Sequence, residues 1–236
     1  VSDPALTGFK VLNMSDRLDF EAVRGTFRYR FVDTDGTVRD FPLGPGAPGW
    51  ASLDAISPYV VKAITTTEDG SFFRHKGFSS FAIRSSILTN LKRGGFYRGA
   101  STVSQQLVKN IFLSREKTIS RKVQEMFITW QLEKTLTKRR IMELYLNAIE
   151  LGPGIYGIRR AARHYFGKRP SQLSLLESVF IVSLIPSPKR YYRQFLRGEV
   201  TDGWRRHLKW IIGVMLHRGK ISEAAHAAAA PYSPLF

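Results

Sequence analysis

Helix start and stop signals recur from Ser57 almost to the end of this 236-residue chain, and they limit the folds open to it. Ser57-Pro58 joins an N-cap residue to a proline at the first helical position, and Ser174 to Glu177 has capping-box spacing. Gly94-Gly95 and Gly219 supply stops. The predicted helices run from Ser57 towards Glu68, over about 82–92, from a Ser101 cap through Lys109, over about 117–136, from Thr137 to just before Gly152, after Ser174, and over 204–216. A mainly α body is therefore expected.

The stretch 20–43 has a different pattern. Phe27, Tyr29 and Phe31 alternate with arginines, Asp35-Gly36 supplies a turn, and the alternation resumes at Val38. This pattern predicts a β-hairpin, and the Gly- and Pro-rich stretch 42–49 that follows predicts a loop. We therefore divide the chain into an N-terminal extension with a hairpin, 1–50, and a helical domain, 51–236. The residues themselves leave the role of the hairpin open.

The charge of the chain indicates anionic partners. Lys and Arg number 36 against 19 Asp and Glu, a net charge of +17. Nucleic acid, an anionic membrane surface and a phosphorylated substrate all fit such a charge. There is no cysteine, which excludes disulfides and thiolate metal sites. No apolar run approaches the roughly 18–20 residues of a membrane span, so a membrane anchor is expected to lie outside this sequence.

Two acidic residues at a helix end are the first candidate for chemistry. Glu68 and Asp69 are followed closely by Phe72 and His75. A carboxylate beside aromatic rings is partly desolvated, which raises its pKa towards a range useful to a general base. Taken alone, a solvated acid pair at a helix end explains these residues more simply.

A second candidate lies where small residues lead into a helix. Free backbone N–H groups at such a helix start favour an anion. The alternative is a capped amphipathic helix with a wet face, but the density of hydroxyl and donor side chains exceeds what a wet face requires. These side chains are Ser101, Thr102, Gln105, Gln106, Lys109 and Asn110.

Two further groups of residues allow both a structural and a functional interpretation. Arg121 and Glu125 share a helix face beside Lys117 and Lys122, so they either pair with each other or serve catalysis. Further on, a helix enters the Gly-rich turn after Glu150, and the chain re-emerges from that turn as another helix. Packing accounts for the tyrosines of that region better than for Asn147 and Glu150 beside the turn.

The order of these motifs resembles the family 51 glycosyltransferases. Glu-Asp-x-x-Phe-x-x-His, Gly-x-Ser-Thr-x-x-Gln-Gln-x-x-Lys-Asn, Arg-Lys-x-x-Glu and Tyr-x-Asn-x-x-Glu-x-Gly-x-Gly-x-x-Gly follow one another, and then comes the segment 174–188. The family comprises the transglycosylase domains of class A penicillin-binding proteins and the monofunctional peptidoglycan transglycosylases. The resemblance covers about residues 57–230. No Ser-x-x-Lys, Ser-x-Asn and Lys-Thr-Gly transpeptidase set follows, so the monofunctional type is more similar.

The resemblance implies a lysozyme-like helical fold with a small, mobile, membrane-facing lobe at about 77–100. Apolar residues alternate there with cations, which suits a surface that dips into anionic headgroups. An amphipathic helix packed on its own core is the alternative, and both remain open. The residues concerned are Phe78, Phe81, Ile83, Ile87, Leu88, Arg84, Lys92, Arg93 and Arg98.

The implied reaction polymerises lipid II into β-1,4-linked glycan strands and releases undecaprenyl diphosphate. Glu68 matches the family's general base and Glu125 its second carboxylate. The implied diphosphate ligands are Lys109, Lys117, Arg121 and Lys122, and the wider substrate set adds Asp69, Phe72, His75, Ser101, Thr102, Gln105, Gln106, Asn110 and Asn147. No cofactor is required, although Mg²⁺ or Mn²⁺ is an optional aid at the diphosphate. Two positions depart from the family pattern: Lys117 stands where arginine is frequent, and Ser71 where many members are basic.

The implied partners are lipid II, a lipid-linked glycan chain, an anionic membrane surface and a separate transpeptidase. The implied location is the periplasmic face of a bacterial inner membrane.

Three other functions compete with that of a peptidoglycan glycosyltransferase. A lysozyme-like lytic transglycosylase or hydrolase would need no diphosphate pocket, and a nucleic-acid-binding protein would need a recognisable module that this sequence lacks. A non-catalytic cell-wall scaffold is disfavoured by the intact Glu68 and Glu125.

Overall fold

A computed structural model describes residues 20–32, 36–95, 99–113, 118–198, 200–230 and 232. These residues form a mainly α structure, as predicted, and its helical body is of the lysozyme-like kind. Within the described ranges the helices are α1 (Pro58–Thr67), α2 (Ser80–Arg93), α3 (Val103–Phe112), α4 (Ile119–Thr135), α5 (Lys138–Ala148), α6 (Ile158–Phe166), α7 (Leu175–Ser183), α8 (Pro188–Leu196), α9 (Asp202–His217) and α10 (Glu223–Ala228).

Most helices begin and end at the predicted signals. Proline occupies the first turn of α1, Ser174 and Glu177 form the capping box of α7, and Gly94 ends α2 in the left-handed conformation. The predicted Ser101 cap of α3 is wrong, because the cap is Thr102, whose hydroxyl accepts from the backbone N–H of Gln105. Glu or Gln three residues after the cap completes a capping box, and Thr102 has this spacing.

Two helices were not predicted. α8 begins with Ser187 followed by Pro188, the same signal that begins α1. α10 is only six residues long, and its cap Ser222 is followed by an alanine-rich segment that lacks an apolar periodicity.

The core lies between two groups of helices. α1 packs against α7 and α9, whereas α3 packs against α4 and α5. The interior is mostly apolar, and the largest of its fully buried side chains is that of Tyr145 on α5. Its other large, fully buried side chains include Phe72, Phe180, Ile64, Leu107, Leu132, Ile141 and Met142. This packing brings the C-terminal end of α1 beside α3 and thereby places Glu68 near the residues of that helix.

The predicted hairpin is confirmed, and it belongs to the same core. β1 (Phe27–Val32) pairs antiparallel with β2 (Val38–Leu43), with Phe27 opposite Leu43. The predicted turn residue Asp35 lies outside the described residues. Tyr29 is buried with Leu43 in the shared core, and the Arg140 guanidinium donates to the carbonyl oxygens of Val23 and Gly25. The described part of the predicted extension is therefore packed against the helices, and the 50/51 boundary stays a prediction.

A second, very short hairpin follows α5. β3 (Glu150–Gly152) and β4 (Ile155–Tyr156) are antiparallel with an irregular register, and they form the predicted Gly-rich turn. Gly157 then begins α6 with φ of +85°. A Cβ at this position would lie 2.6 Å from the carbonyl oxygen of Asn147, so only glycine fits this close approach.

The helix of the predicted lobe, α2, presents its apolar side chains to solvent. Its buried residue is Ser86, which excludes the alternative of a helix packed on its own core. Arg98, which the lobe prediction included, lies outside the described residues. The exposed apolar side chains are Phe81, Ile83, Ile87, Leu88 and Leu91. Among the described helices, none has the length and apolar character needed to cross a membrane.

Candidate active site

A cleft of about 510 Å³ lies between β1, α3, α4 and the turn that follows α5. One part of its lining is polar, with three cations and two carboxylates, and another part is aromatic. The polar lining residues are Ser101, Lys109, Asn110, Arg121, Lys122, Glu125 and Glu150. The remaining lining residues are Tyr29, Phe31, Tyr156, Leu113 and Ala148.

Glu125 is the buried anion of this cleft. It is 2% exposed, and Oε2 accepts from the Arg121 guanidinium at 3.1 Å. Lys122 Nζ donates to Oε1, and the amide of Gln105 donates to the same oxygen at 3.4 Å. The pairing allowed by the Arg121–Glu125 spacing therefore forms, and it lies inside the cleft, whereas a role in catalysis stays a prediction. The carboxylate holds two cations where an anionic ligand would meet them.

Lys109 is the third cation. Its side chain reaches solvent, but the protein around the cleft displaces much of its hydration, and this desolvation lowers the pKa of the ammonium. The charges of Arg121 and Lys122 lower the pKa further, whereas the Glu125 carboxylate opposes them. A poorly hydrated cation beside two others gains most from a bound anion.

Glu68 follows the last residue of α1 and is half-buried. Its Oε2 accepts from the side-chain amide of Gln106 at 3.1 Å, and the Gln106 carbonyl oxygen accepts from the Tyr145 hydroxyl at 2.8 Å. Desolvation raises the pKa of the Glu68 carboxyl, although bonds from Gln106 and Thr67 and the charge of Lys109 oppose the rise. A carboxyl with a raised pKa is suited to accepting a proton near neutral pH.

Asp69 and His75 hold this end of α1 against the start of α3. His75 Nε2 donates to Asp69 Oδ2 at 2.8 Å, and the backbone N–H of Val103 donates to the same oxygen at 3.1 Å. The backbone N–H of Gly77 donates to His75 Nδ1, which is consistent with a proton on Nε2. The side chains of these two predicted substrate residues are largely buried and support the site through these bonds, and their contact with substrate stays a prediction.

Three other predicted substrate residues have similar positions. Phe72 is 1% exposed and packs edge-on against the His75 ring. Thr102 caps α3 and donates to the carbonyl of Gly77 at 2.6 Å. Gln105 completes the capping box and reaches Glu125. Gln105 thereby connects α3 with α4, the two helices that carry the cationic side chains of the cleft.

Asn147 is placed away from the polar lining. Its amide nitrogen donates to the carbonyls of Ala51 and Glu143, and its oxygen accepts from the Ala51 backbone N–H. Buried hydrogen bonds of this kind hold the segment before α1 against α5. The predicted diphosphate ligand Lys117 lies outside the described residues.

The sequence interpretation did not assign Tyr29, Phe31 or Tyr156 to the site. Tyr29 and Phe31 lie on β1 and reach the cleft because the Tyr29 hydroxyl donates to the carbonyl oxygen of Asn110, 81 residues away, at 3.0 Å. The alternation predicted a hairpin but gave no sign of the element against which its aromatic side chains pack.

A dedicated metal site does not fit this donor set. Glu125 is engaged by two cations, and in the described part of the chain no three His, Asp or Glu side chains converge as metal ligands. Carboxylate and carbonyl oxygens are the ligands that Mg²⁺ and Mn²⁺ require. The optional aid of such an ion at the diphosphate stays a prediction.

Comparison with known proteins supports the family resemblance that was inferred from the order of the motifs. The family model described as Transglycosylase matches residues 43–215, nearly three quarters of the chain. A biosynthetic peptidoglycan transglycosylase of Nitrosospira multiformis is 46% identical over 142 residues, which is 60% of this chain and 62% of that protein. A protein of the same name from Acinetobacter baumannii is 39% identical over 169 residues, 70% of this chain and 75% of the relative.

A third relative is longer. Penicillin-binding protein 1A of Aquifex aeolicus is 42% identical over 142 residues, which is 60% of this chain but only 20% of that protein. The chain spans about three fifths of the length of several of the curated relatives it matches. The similarity therefore concerns one segment of these proteins.

Proposed function

Because the chain belongs to the transglycosylase family, the family 51 glycosyltransferases, we propose that it is a peptidoglycan glycosyltransferase. The donor is a growing glycan strand linked to undecaprenyl diphosphate, and the acceptor is lipid II. The product is a β-1,4-linked strand, and the leaving group is undecaprenyl diphosphate. The single observation that carries this proposal is the group of three cations, Lys109, Arg121 and Lys122, around the buried Glu125 in one cleft.

The cations account for the leaving group. A diphosphate ester carries negative charge that grows as its bond to the sugar breaks, and preorganised cations in a partly desolvated cleft stabilise that charge. A hydrolase that acts on a neutral glycan strand has no use for three cations around one carboxylate. The cleft therefore favours transfer from a diphosphate donor over hydrolysis.

Glu68 serves as the general base. It accepts the proton of the acceptor sugar hydroxyl while the oxygen of that hydroxyl attacks the anomeric carbon of the donor. The new carbon–oxygen bond forms as the bond to the diphosphate breaks, and the diphosphate keeps the electron pair. Attack from the face opposite the leaving group inverts an α-linked centre to β. A positioned base contributes about 10²–10⁴-fold to such a rate.

Glu125 positions the cations. Its two oxygens fix Arg121 and Lys122, so neither side chain loses much conformational freedom when the diphosphate binds. Ser101 and Asn110 line the same cleft and supply further polar contacts, and Gln106 orients Glu68. Lys117 is proposed as an additional phosphate ligand.

The lobe of about residues 77–100 and the outer face of α4 are proposed to contact the membrane. Apolar side chains exposed on α2 and on α4 are interspersed with Lys and Arg, which suits insertion among anionic headgroups. On α4 they are Ile119, Val123, Met126, Phe127 and Trp130. The membrane in question is the bacterial inner membrane at its periplasmic face, and a separate transpeptidase is proposed to cross-link the product.

Incubation with labelled lipid II tests this function. We expect polymer that separates from the monomer by gel electrophoresis, together with release of undecaprenyl diphosphate. The parallel assay uses purified, phosphate-free glycan strands. Cleavage of those strands without any polymerisation of lipid II would instead identify a hydrolase and overturn the proposal.

A further inference from the structure

An aromatic surface lines part of the cleft, and two of its three rings, Tyr29 and Phe31, lie outside the segment that matches the family model. Phe31 of β1 lies 4.8 Å, centroid to centroid, from the Tyr156 ring of β4, and 4.7 Å from the Tyr29 ring. All three line the cleft together with Lys109 and Arg121. The family model begins at residue 43, after most of the hairpin, so β1 is an addition to the matched segment.

The hairpin is held firmly in this position. The Tyr29 hydroxyl bonds the carbonyl of Asn110, and the guanidinium of Arg140 bonds the carbonyls of Val23 and Gly25 just before β1. Tyr29 is only 4% exposed, so it serves as the anchor, whereas the half-buried Phe31 contributes ring surface to the cleft. A fixed aromatic ring needs no reordering when a ligand binds against it.

We propose that Phe31, packed against the buried ring of Tyr156, forms a sugar-binding subsite for the glycan strand of the donor, an inference that rests on the proposed function. A pyranose ring has one face of C–H groups, which packs against an aromatic ring while its hydroxyls remain hydrated. Pockets typically combine such an apolar wall with a few polar groups that fix the ligand. Here the polar groups are the cations of the same cleft.

The chemistry of the donor brings sugar and phosphate together. The first sugar of the strand is bonded directly to the diphosphate, so a diphosphate held by Lys109 and Arg121 leaves the sugar within the same cleft. The strand then has to pass along part of the cleft lining. The aromatic part offers a surface suited to sugar rings, and the cationic part suits the phosphates.

The isoprenoid tail is a less suitable occupant of the aromatic wall that Phe31 forms in the cleft. Apolar side chains suited to lipid, such as Val123 and Phe127, are exposed on α4, whereas Glu125 of the same helix points into the cleft. The wall formed by Phe31 is bordered by charged and polar side chains, among which an alkyl chain would leave cations desolvated. The glycan therefore fits this wall better.

Two soluble probes test the aromatic part and the cationic part of the cleft independently. The probes are a phosphate-free hexasaccharide of β-1,4-linked N-acetylglucosamine and inorganic diphosphate, each titrated by calorimetry. We expect Phe31→Leu, which keeps apolar volume but removes the ring, to weaken the hexasaccharide about three- to tenfold and to leave diphosphate binding unchanged. Phe31→Tyr should bind both probes like the parent.

Two further variants complete the design. Lys109→Ala should show the opposite pattern, with weaker diphosphate binding and unchanged hexasaccharide binding. Val38→Ala is the matched hairpin control, because Val38 is 50% exposed on β2 and does not line the cleft. Thermal unfolding of each variant confirms that the hairpin has not been lost.

The outcomes distinguish this inference from the proposed function. Hexasaccharide binding that is equal in the parent and in a folded Phe31→Leu overturns the subsite, even if lipid II is polymerised. Binding that depends on Phe31 supports the subsite, even if polymerisation fails. If Phe31→Leu instead weakens only binding to lipid vesicles, the wall belongs to the isoprenoid tail and the inference is wrong.

Discussion

The side-chain amide of Gln106 donates to Glu68 Oε2 at 3.1 Å, and a second hydrogen bond fixes the orientation of that amide. The Tyr145 hydroxyl donates to the Gln106 carbonyl oxygen, so the amide nitrogen must face Glu68. Burial raises the pKa of Tyr145 well above its ordinary value, which keeps this hydroxyl protonated. The chain of hydrogen bonds therefore runs in one direction, from the core to the proposed base.

Glu68→Gln is expected to lower polymerisation at least about a hundredfold while the protein remains folded. The replacement keeps a carbonyl oxygen that can accept from Gln106, but it cannot take up a proton. Initial rates with labelled lipid II measure the effect. Glu223→Gln, an exposed change on α10, is the matched control and should retain parental activity. Activity of Glu68→Gln within a few-fold of the parent would remove Glu68 from the mechanism.

The pH dependence of stability follows from the raised pKa of Glu68. A carboxyl whose pKa is higher in the folded than in the unfolded state favours folding below its unfolded pKa, and this contribution is lost as pH rises through the folded pKa. At neutral pH the ionised Glu68 is therefore unfavourable for folding. We expect Glu68→Gln to have a higher Tm than the parent at pH 7 and to lose that advantage in acid. A Tm difference that does not change with pH contradicts the desolvation of Glu68.

Lys109→Ala should abolish chain formation without unfolding the protein. Loss of one charge-assisted contact to a partly buried phosphate costs about 1.5–3 kcal/mol, roughly 10–150-fold in affinity. Calorimetry with a diphosphate-containing donor mimic measures this loss. Glu125→Gln should depress turnover but retain most of the donor affinity, since the cations remain. Equal donor affinity of the parent and Lys109→Ala would remove Lys109 from the phosphate site.

Binding to anionic vesicles should weaken as salt is added, because screening shortens the reach of the +17 charge. Phe127→Ser on α4 should weaken vesicle binding about three- to tenfold, because the apolar area available for insertion is smaller. The matched control is Leu196→Ser on α8, since Leu196 is 65% and Phe127 67% exposed. Cosedimentation measures both. Equal losses in the two variants would contradict a membrane surface on α4.

Gly157→Ala should destabilise the protein by about 2–4 kcal/mol, because strain at positive φ adds to a backbone clash with Asn147. Gly167→Ala at the other end of α6 is the control. Gly167 has φ of +64°, and beyond its own chain neighbours no described atom lies within 4 Å of the position an alanine Cβ would take, so only the strain of about 1–2 kcal/mol remains. Urea unfolding compares the two. Equal destabilisation would show that the clash at Gly157 is relieved by a backbone shift.

The helices were predictable because their signals are local. Proline after Ser57 and the spacing of Ser174 to Glu177 depend on neighbouring residues only, and the same rule applied to Thr102 and Gln105 would have corrected the Ser101 cap. The Ser187-Pro188 start of α8 was equally available in the sequence.

Which of the predicted residues line the cleft and which are buried as supports was not predictable, because that depends on contacts between distant segments. The motif order identified Asp69 and Lys109 alike as substrate residues, and only the tertiary structure separates a buried support from a cation that lines the cleft. The wall formed by Phe31 likewise depends on a hydrogen bond between Tyr29 and Asn110. No periodicity within a single segment reports such a contact.

Helix α4 has the proposed lipid-contacting side chains on one face and Glu125, with its cations, on the other. An α-helix with its side chains is about 10–12 Å across. With the outer face of α4 on the membrane as proposed, the cleft therefore lies one helix diameter from the edge of the hydrocarbon, at the depth where phosphate headgroups reside. A diphosphate can then reach Lys109 by moving sideways within the membrane plane, and its isoprenoid tail never has to leave the bilayer between successive additions.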